Sequence, residues 1–395
     1  MEEKIFYIDN IGCHIRSYDA EKIKNHLVNN HYIFTDIYED AEIVIIIGCL
    51  ADTIQLGRTN QIISDHYKNN KKVILSGCIS KENIEKYEHA GIYVPPDGLD
   101  KIDNIIDDLS VPFIHTAENF KIFPSENSRI YLSKLKKYRL NFSFPGKIYK
   151  DILSGLLFEK RKPDDFHFIQ INTGCSFDCS FCNTRFCFND VTSKPLSKVI
   201  SEYKALMQKK IRDVVFISED IGSYGKDINT NLFDMLLSLY KIDNNNYIKW
   251  HLDAINPYWS ILFEDKVLAM VRTNKIKSIV FTIQSGSSRI LKLMNRYDNV
   301  KEIKNNIRKI KKGNAGLRTY GFFMVGFPSE TEQEYKSTLE LIKELNFDDV
   351  FISCYSEFDH CESARIFPKI PDEEIIRRYD HAKKYLEKYN IFCRN

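Results

Sequence analysis

The sequence carries almost no net charge, no long apolar run, and little glycine or proline. Lys and Arg total 56 against 54 Asp and Glu, a net of +2 over 395 residues. Such a balance gives no general attraction to a polyanion and leaves only local basic patches. No apolar stretch reaches the roughly 18 residues of a membrane-spanning helix, so no membrane partner is expected. The opening residues Met1-Glu2-Glu3-Lys4-Ile5 lack the basic and apolar regions of a secretory leader. A cytoplasmic protein with reduced cysteines is the expectation. The 16 glycines and 11 prolines exclude a collagen-like or low-complexity chain. What is present is 43% apolar and 28% charged residues, the composition of a globular chain. Its length exceeds the roughly 250–300 residues of one core, so two domains are expected.

Short apolar runs alternate with amphipathic stretches through residues 1–110. Strands are predicted at 4–11, 41–47, 72–75 and 91–94. Helices are predicted at 17–29 (opened by Ser17), 52–68, from Ser80, and at 99–109. That alternation implies a parallel sheet covered on both faces. Residues 111–165 read as a linker. Within them, 128–150 holds seven basic residues, no acidic one, and five Tyr or Phe. The alternation resumes across 166–370, with strands predicted at 167–171, 213–217, 249–253, 278–283, 319–325 and 350–355. Six strands fit an open, TIM-like (β/α)6 partial barrel; a doubly wound sheet fits the same alternation. Residues 371–395 carry a last helix, acidic first and basic later, as the helix dipole favours.

Ten cysteines in a reducing compartment point to metal or redox chemistry rather than disulfides. The strongest pattern is Gly174-Cys175-Ser176-Phe177-Asp178-Cys179-Ser180-Phe181-Cys182. Its spacing of three residues, then two, sits between a predicted strand and a predicted helix. Three thiolates on one tight loop can hold three irons of a [4Fe–4S] cube and leave the fourth open. A zinc site would normally pair two separated CxxC units and use four ligands. Cys187 lies five residues on, in a stretch expected to leave the loop, and is not assigned as a fourth ligand.

A second set is dispersed. Cys13, Cys49 and Cys78 each follow a glycine, and each ends a predicted strand. Ligands of open parallel sheets bind at the carboxyl ends of strands, so three such thiols would converge on one edge. Unrelated buried cysteines are the plainer alternative.

Together these motifs resemble the radical S-adenosylmethionine (SAM) methylthiotransferase family, over about residues 4–390. Besides both cysteine sets, the resemblance rests on Tyr18-Asp19, Ser193 with Pro195, and Tyr224-Gly225. It rests also on Gln284-Ser285-Gly286-Ser287, Arg289-Ile290-Leu291, Met294-Asn295-Arg296, and Gly326-Phe327-Pro328 with Glu330-Thr331. The resemblance implies a cluster-binding first domain and a partial (β/α)6 barrel. It implies two [4Fe–4S] clusters: Cys175, Cys179 and Cys182 on the SAM-cleaving one, and Cys13, Cys49 and Cys78 on an auxiliary one that holds the sulfur. One SAM supplies a 5′-deoxyadenosyl radical, another the methyl group, and a C–H bond becomes C–SCH3. An electron donor such as flavodoxin or ferredoxin is implied. Phe181, before the third cysteine, matches the pattern too. Ser218, Glu219 and Asp220 follow the second barrel strand, where SAM's polar groups would sit. Gln284 and Ser285 end the fourth strand and are similar candidates. Asp253 and Arg296 are further ones.

The sequence departs from the pattern at Arg16, where the family usually carries Asn, and at Gly48, where it usually carries Thr. Phe188-Asn189 replace an Arg-Gly pair. Ser356-Glu357-Phe358-Asp359-His360-Cys361 replaces a loop containing Pro and Gly. The small β-barrel (TRAM) that ends the tRNA- and ribosomal-protein-modifying members is not seen after the last helix. A peptide substrate is therefore expected, with a tRNA adenosine or a sulfur insertion without methyl transfer as alternatives. The 128–150 run could contact phosphates and stack on bases; the basic helix 301–312 reads as a solvated face. His14 is placed beside Cys13. Cys354, Cys361 and Cys393 carry no motif, and of these Cys361 is the one worth testing.

Overall fold

The computed structural model describes residues 4–67, 71–79, 84–85, 92–113, 166–188, 190–243, 245 and 247–394. Most of the expected linker lies outside them, as do the whole 128–150 run and nearly all of the helix expected from Ser80. The chain divides into two compact units. The first comprises Met1–Lys150 with Asn183–Asn189, the second Asp151–Cys182 with Asp190–Asn395. The membership of Asn183–Asn189 in the first unit was not foreseen.

In the first unit the run Ile43–Gly48 (β3) is apolar at every position because both faces of its sheet are covered. Ile43, Ile45 and Ile47 pack in one cluster with Ile23 and Leu27 of α1 (His14–Asn29). Val44 and Ile46 pack in another with Ile63 of α2 (Thr53–Tyr67). Full burial of each such side chain contributes about 1.5–3 kcal/mol. The remaining strands are β1 (Ile5–Asn10), β2 (Ile33–Phe34), β4 (Lys72–Gly77) and β5 (Ile92–Val94). All pair parallel, in the order β2-β1-β3-β4-β5. This is a doubly wound order, whose direction of winding reverses between β1 and β3. Ligands bind such sheets at that switch point.

Two expectations need correction here. Helix α1 begins at His14 with Cys13 as its N-cap, not at Ser17. Asn10 turns the chain early: its Oδ1 accepts from Gly12 N–H at 2.9 Å, and its Nδ2 donates to Ser17 Oγ at 2.9 Å. The helix expected at 99–109 is a 3-10 helix over Leu99–Asn104.

The second unit holds seven parallel strands: β6 (Phe166–Gln170), β9 (Asp213–Ile217), β10 (Lys249–Ile255), β11 (Ile276–Gln284), β12 (Arg318–Val325), β13 (Asp349–Cys354) and β14 (Phe392–Arg394). A two-residue ladder joins β7 (Asn172–Thr173) to β8 (Thr192–Ser193). Six of the seven were foreseen. The seventh, β14, follows the last helix α10 (Asp372–Glu387) and extends the sheet beside β13. Each strand lies beside its predecessor, in the order β6-β9-β10-β11-β12-β13-β14. No reversal occurs, so this sheet winds as an open barrel and not as the doubly wound alternative. Trp250, Phe216, Phe281 and Phe323 anchor its core.

Candidate functional site

The loop carrying Cys175, Cys179 and Cys182 leaves β7 through Gly174, whose φ is +78°. A Cβ there would lie 2.5 Å from the Asp190 carbonyl oxygen, so only glycine fits. Three strand ends then fasten the loop. From beyond β9, Glu219 Oε2 accepts from Gly174 N–H at 2.9 Å, and Ser223 Oγ accepts from Ser176 N–H at 3.1 Å. From beyond β11, Leu293 O accepts from Ser180 Oγ at 2.7 Å and Met294 O from Ser180 N–H at 3.1 Å. Beyond β13, Ser363 N–H donates to Ser180 O at 3.0 Å. Cys361, buried, caps the short helix that carries Ser363. The short helix that follows the replaced loop therefore braces the cysteine loop.

Arg296 is placed by the fold against the thiols. Its Nη1 donates to Cys179 Sγ at 3.3 Å, and its Nη2 is held by Thr282 O and Oγ1. Asp220 is buried and fully engaged. It accepts from Ser223 Oγ at 2.6 Å, Trp259 Nε1 at 2.7 Å and Asn256 N–H at 3.0 Å. Its carboxyl is pushed above the usual carboxylate range by burial, against those hydrogen bonds and the charge of Arg296. Glu219 thus fastens the loop directly, and Asp220 does so through Ser223. Ser285 is likewise committed: it is fully buried, and its Oγ accepts from Ser287 N–H at 3.1 Å. Ser218 remains a candidate, because its buried Oγ has no hydrogen-bond partner among the described residues. Phe181 is half-buried, edge-on to Phe327 at 6.5 Å. Asp253 is buried within β10 rather than at its end.

Gln284 closes β11 with φ +83° beside a shift in strand register. The neighbouring β10 does the same at Ala254, φ +52°. Left-handed backbone at non-glycine residues stores strain, and bulges re-aim side chains near sites. Neither residue type signals such a backbone in advance. The Gly-Phe-Pro element is structural: Glu330 Oε2 accepts from Gly326 N–H at 2.9 Å and pairs with buried Arg378 of α10 at 2.7 Å.

In the first unit the dispersed cysteines stand at the ends of β1, β3 and β4, three neighbouring strands of which the first two flank the switch point. Gly77 has φ +91°, and a Cβ on it would meet Gly48 O at 2.6 Å. That close approach sets the ends of β3 and β4 side by side. Thr59 of α2, unremarked in the sequence, clamps Cys49: its Oγ1 accepts from Cys49 N–H at 3.2 Å and donates to Cys49 O at 3.0 Å. Burial pushes the Cys13 thiol up to about 11, against the pull of Arg16, and Cys78 adds to the rise. The Cys49 thiol is raised by burial and then by Cys13 and Cys78. Cys175 is raised by burial, then by Asp220. Bound iron would reverse this burden, since a metal cation holds thiols deprotonated. Among the described residues no group of three or more His, Cys, Asp or Glu is arranged to hold a single metal ion. In donor chemistry each trio supplies the three thiolates that a [4Fe–4S] cube with one open iron takes. His14 is half-buried at the start of α1. Cys354 is exposed and Cys393 buried.

The basic helix α8 (Val300–Gly313) spends its charge locally. Lys304 and Arg308 pair with Glu344, and Lys309 with Glu264. It is a solvated face, as expected. Among the described residues no helix is long and apolar enough to cross a membrane.

Comparison with known proteins agrees with this geometry. The model of the Radical SAM superfamily matches residues 169–342, and that of uncharacterized protein family UPF0004 matches residues 5–94. The chain is 26% identical over 402 residues to a tRNA-2-methylthio-N(6)-dimethylallyladenosine synthase of Clostridium tetani, covering 98% of this chain and 81% of that protein. It is 26% identical over 389 residues to the threonylcarbamoyladenosine tRNA methylthiotransferase MtaB of Aquifex aeolicus, covering 95% and 88%. Both relatives are named for tRNA, and neither supports the expected peptide substrate. In fold it is similar to the radical SAM methyltransferase TsrM of Kitasatospora setae, solved with cobalamin and a [4Fe–4S] cluster bound. The TM-score is 0.60 at 13% identity, over 92% of this chain and 77% of that one. Matched in both units by these models and along nearly its whole length by these relatives, the chain is a transferase similar to the radical SAM methylthiotransferases, with two [4Fe–4S] clusters and SAM as its cofactors.

Proposed function

We propose that this enzyme converts a C–H bond of a tRNA adenosine to C–SCH3. The observation that carries the reading is the second trio, Cys13, Cys49 and Cys78, at the switch point of a doubly wound sheet in a chain that also bears the Cys175–Cys179–Cys182 loop. A radical generator alone has no use for it. The two relatives named for N6-modified adenosines of tRNA support the substrate class.

In this reading Cys175, Cys179 and Cys182 hold the SAM-side cluster, and Cys13, Cys49 and Cys78 the auxiliary one. When bound, the first supplies the electron that cleaves SAM to a 5′-deoxyadenosyl radical, and the second carries the sulfur. Arg296 directs a charged donor at Cys179 and lowers the electron density on that sulfur. Glu219, Asp220 and Ser223 hold the loop in place, while Ser218 and Gln284 are the residues left to meet SAM's polar groups. A flavodoxin or ferredoxin supplies the electrons.

The test is anaerobic reconstitution of the full chain with iron, sulfide, SAM and dithionite, on tRNA from a host lacking the methylthio modification. Nucleoside mass spectrometry is expected to find a methylthio-adenosine derivative. A product without the methyl group would select sulfur insertion instead. Unchanged tRNA alongside a methylthiolated peptide in the same lysate would overturn the tRNA assignment.

A further inference from the structure

Cys187 belongs to neither trio in the sequence, yet the fold carries it to one of them. It closes a short 3-10 helix, Thr184–Cys187, that lies in the first unit. There it shares one buried cluster with Cys78 and Leu50, edged by Leu56 and Phe188. It is 8% exposed. Tyr93 OH donates to Gly77 O at 3.1 Å, at the end of the strand that carries Cys78. Four of the ten cysteines therefore gather at the strand ends of this one sheet.

Two contacts hold the segment there. Asn183 Nδ2 donates to Leu50 O at 3.2 Å. The Arg16 guanidinium lies over the Phe188 ring, 5.5 Å from its centroid. Arg16 is itself 1% exposed and paired with Asp19 at 2.9 Å. Arg16 and Phe188 are two of the positions at which the sequence departs from the pattern it resembles, and here they touch each other. A cation over an aromatic face is attracted more strongly where water is excluded, which biases where a short segment sits.

We infer that Cys187 is a fourth sulfur ligand of the auxiliary cluster, a removable cap on the iron that Cys13, Cys49 and Cys78 leave open. The inference rests on the auxiliary-cluster reading above. A cap of this kind protects a reactive corner until sulfur arrives. Its removal is ligand exchange with no change of oxidation state: an incoming hydrosulfide or thiol loses its proton on taking the corner, and Cys187 leaves with that proton as a free thiol. A plain packing cysteine would affect none of this.

The experiment uses the full chain with Cys175, Cys179 and Cys182 all changed to Ala, so that only the auxiliary site loads. Reconstitution is expected to give about four irons per chain. Methanethiol labelled with carbon-13 is then titrated against the reduced cluster and followed by electron paramagnetic and double resonance. Cys187→Ala is expected to shift the resonance and to bind methanethiol at about tenfold lower concentration. Cys187→Ser, which keeps a weaker oxygen ligand, is expected to fall between. Phe188→Ala, which loosens the segment but keeps the thiol, is expected to move in the same direction. A parent that loads iron but whose spectrum and titration ignore all three substitutions overturns this inference alone. A parent that loads no iron overturns the auxiliary-cluster reading, and this inference with it.

Discussion

The two thiol trios are assembled by opposite means. Cys175, Cys179 and Cys182 sit on eight consecutive residues, and the barrel only braces the loop that carries them. Cys13, Cys49 and Cys78 are spread over 66 residues and meet only because β1, β3 and β4 are neighbours in register. A local site depends on a few hydrogen bonds; a dispersed one depends on the whole sheet. The first should therefore be damaged residue by residue, and the second through any change that shifts a strand end.

The largest effects separate the trios outright. Cys179→Ala is expected to abolish formation of 5′-deoxyadenosine. Cys49→Ala is expected to keep SAM cleavage while methylthiolation disappears, both read by chromatography of reaction mixtures. Sulfur insertion that survives Cys49→Ala would remove the auxiliary site from the mechanism.

Next come the glycines. Gly174→Ala and Gly77→Ala each force a side chain into left-handed backbone and against a carbonyl oxygen, at a cost of about 1–3 kcal/mol. Gly174→Ala is expected to lower SAM cleavage. Gly77→Ala should instead lower the denaturant midpoint and the iron bound by the auxiliary site, with cleavage retained. Equal damage to cleavage by both would mean that the trios are not separable in this way.

Smaller effects test the braces. Thr59→Val removes both hydrogen bonds to the Cys49 backbone, costing about 1–3 kcal/mol of stability in chemical denaturation. Arg296→Lys loses the planar fork that reaches Cys179 and Thr282 together. It is expected to alter the resonance of the SAM-side cluster while leaving the auxiliary signal unchanged. The smallest change is His14→Ala, expected within about 0.5 kcal/mol of the parent and spectroscopically silent.

Much of this was legible beforehand, for reasons visible in particular elements. The all-apolar β3 run announced a strand covered on both faces, and β9 and β12 were foreseen to within a residue, because side-chain burial writes its period into the chain. The loop trio was legible because its ligands are adjacent. The site residues were less so. Asp220, Glu219 and Ser285 stand where the resemblance puts SAM contacts, and each also hydrogen-bonds within the scaffold. A carboxylate near a strand end looks the same in sequence whether it faces a ligand or a backbone amide. The choice of substrate leaned on Phe188, Arg16 and the region after the last helix, whereas the relatives point to tRNA.

By itself the sequence determined the alternation of strands and helices and the resemblance that its cysteine spacings carry, since these follow from local periodicity and from spacing along one chain. Only the tertiary structure decided that one sheet reverses its winding and the other does not, that Asp220 is a strut, and that Cys187 lies beside Cys78. Those facts depend on which distant segments become neighbours, and that is settled by the burial of whole faces rather than by any residue's own preference.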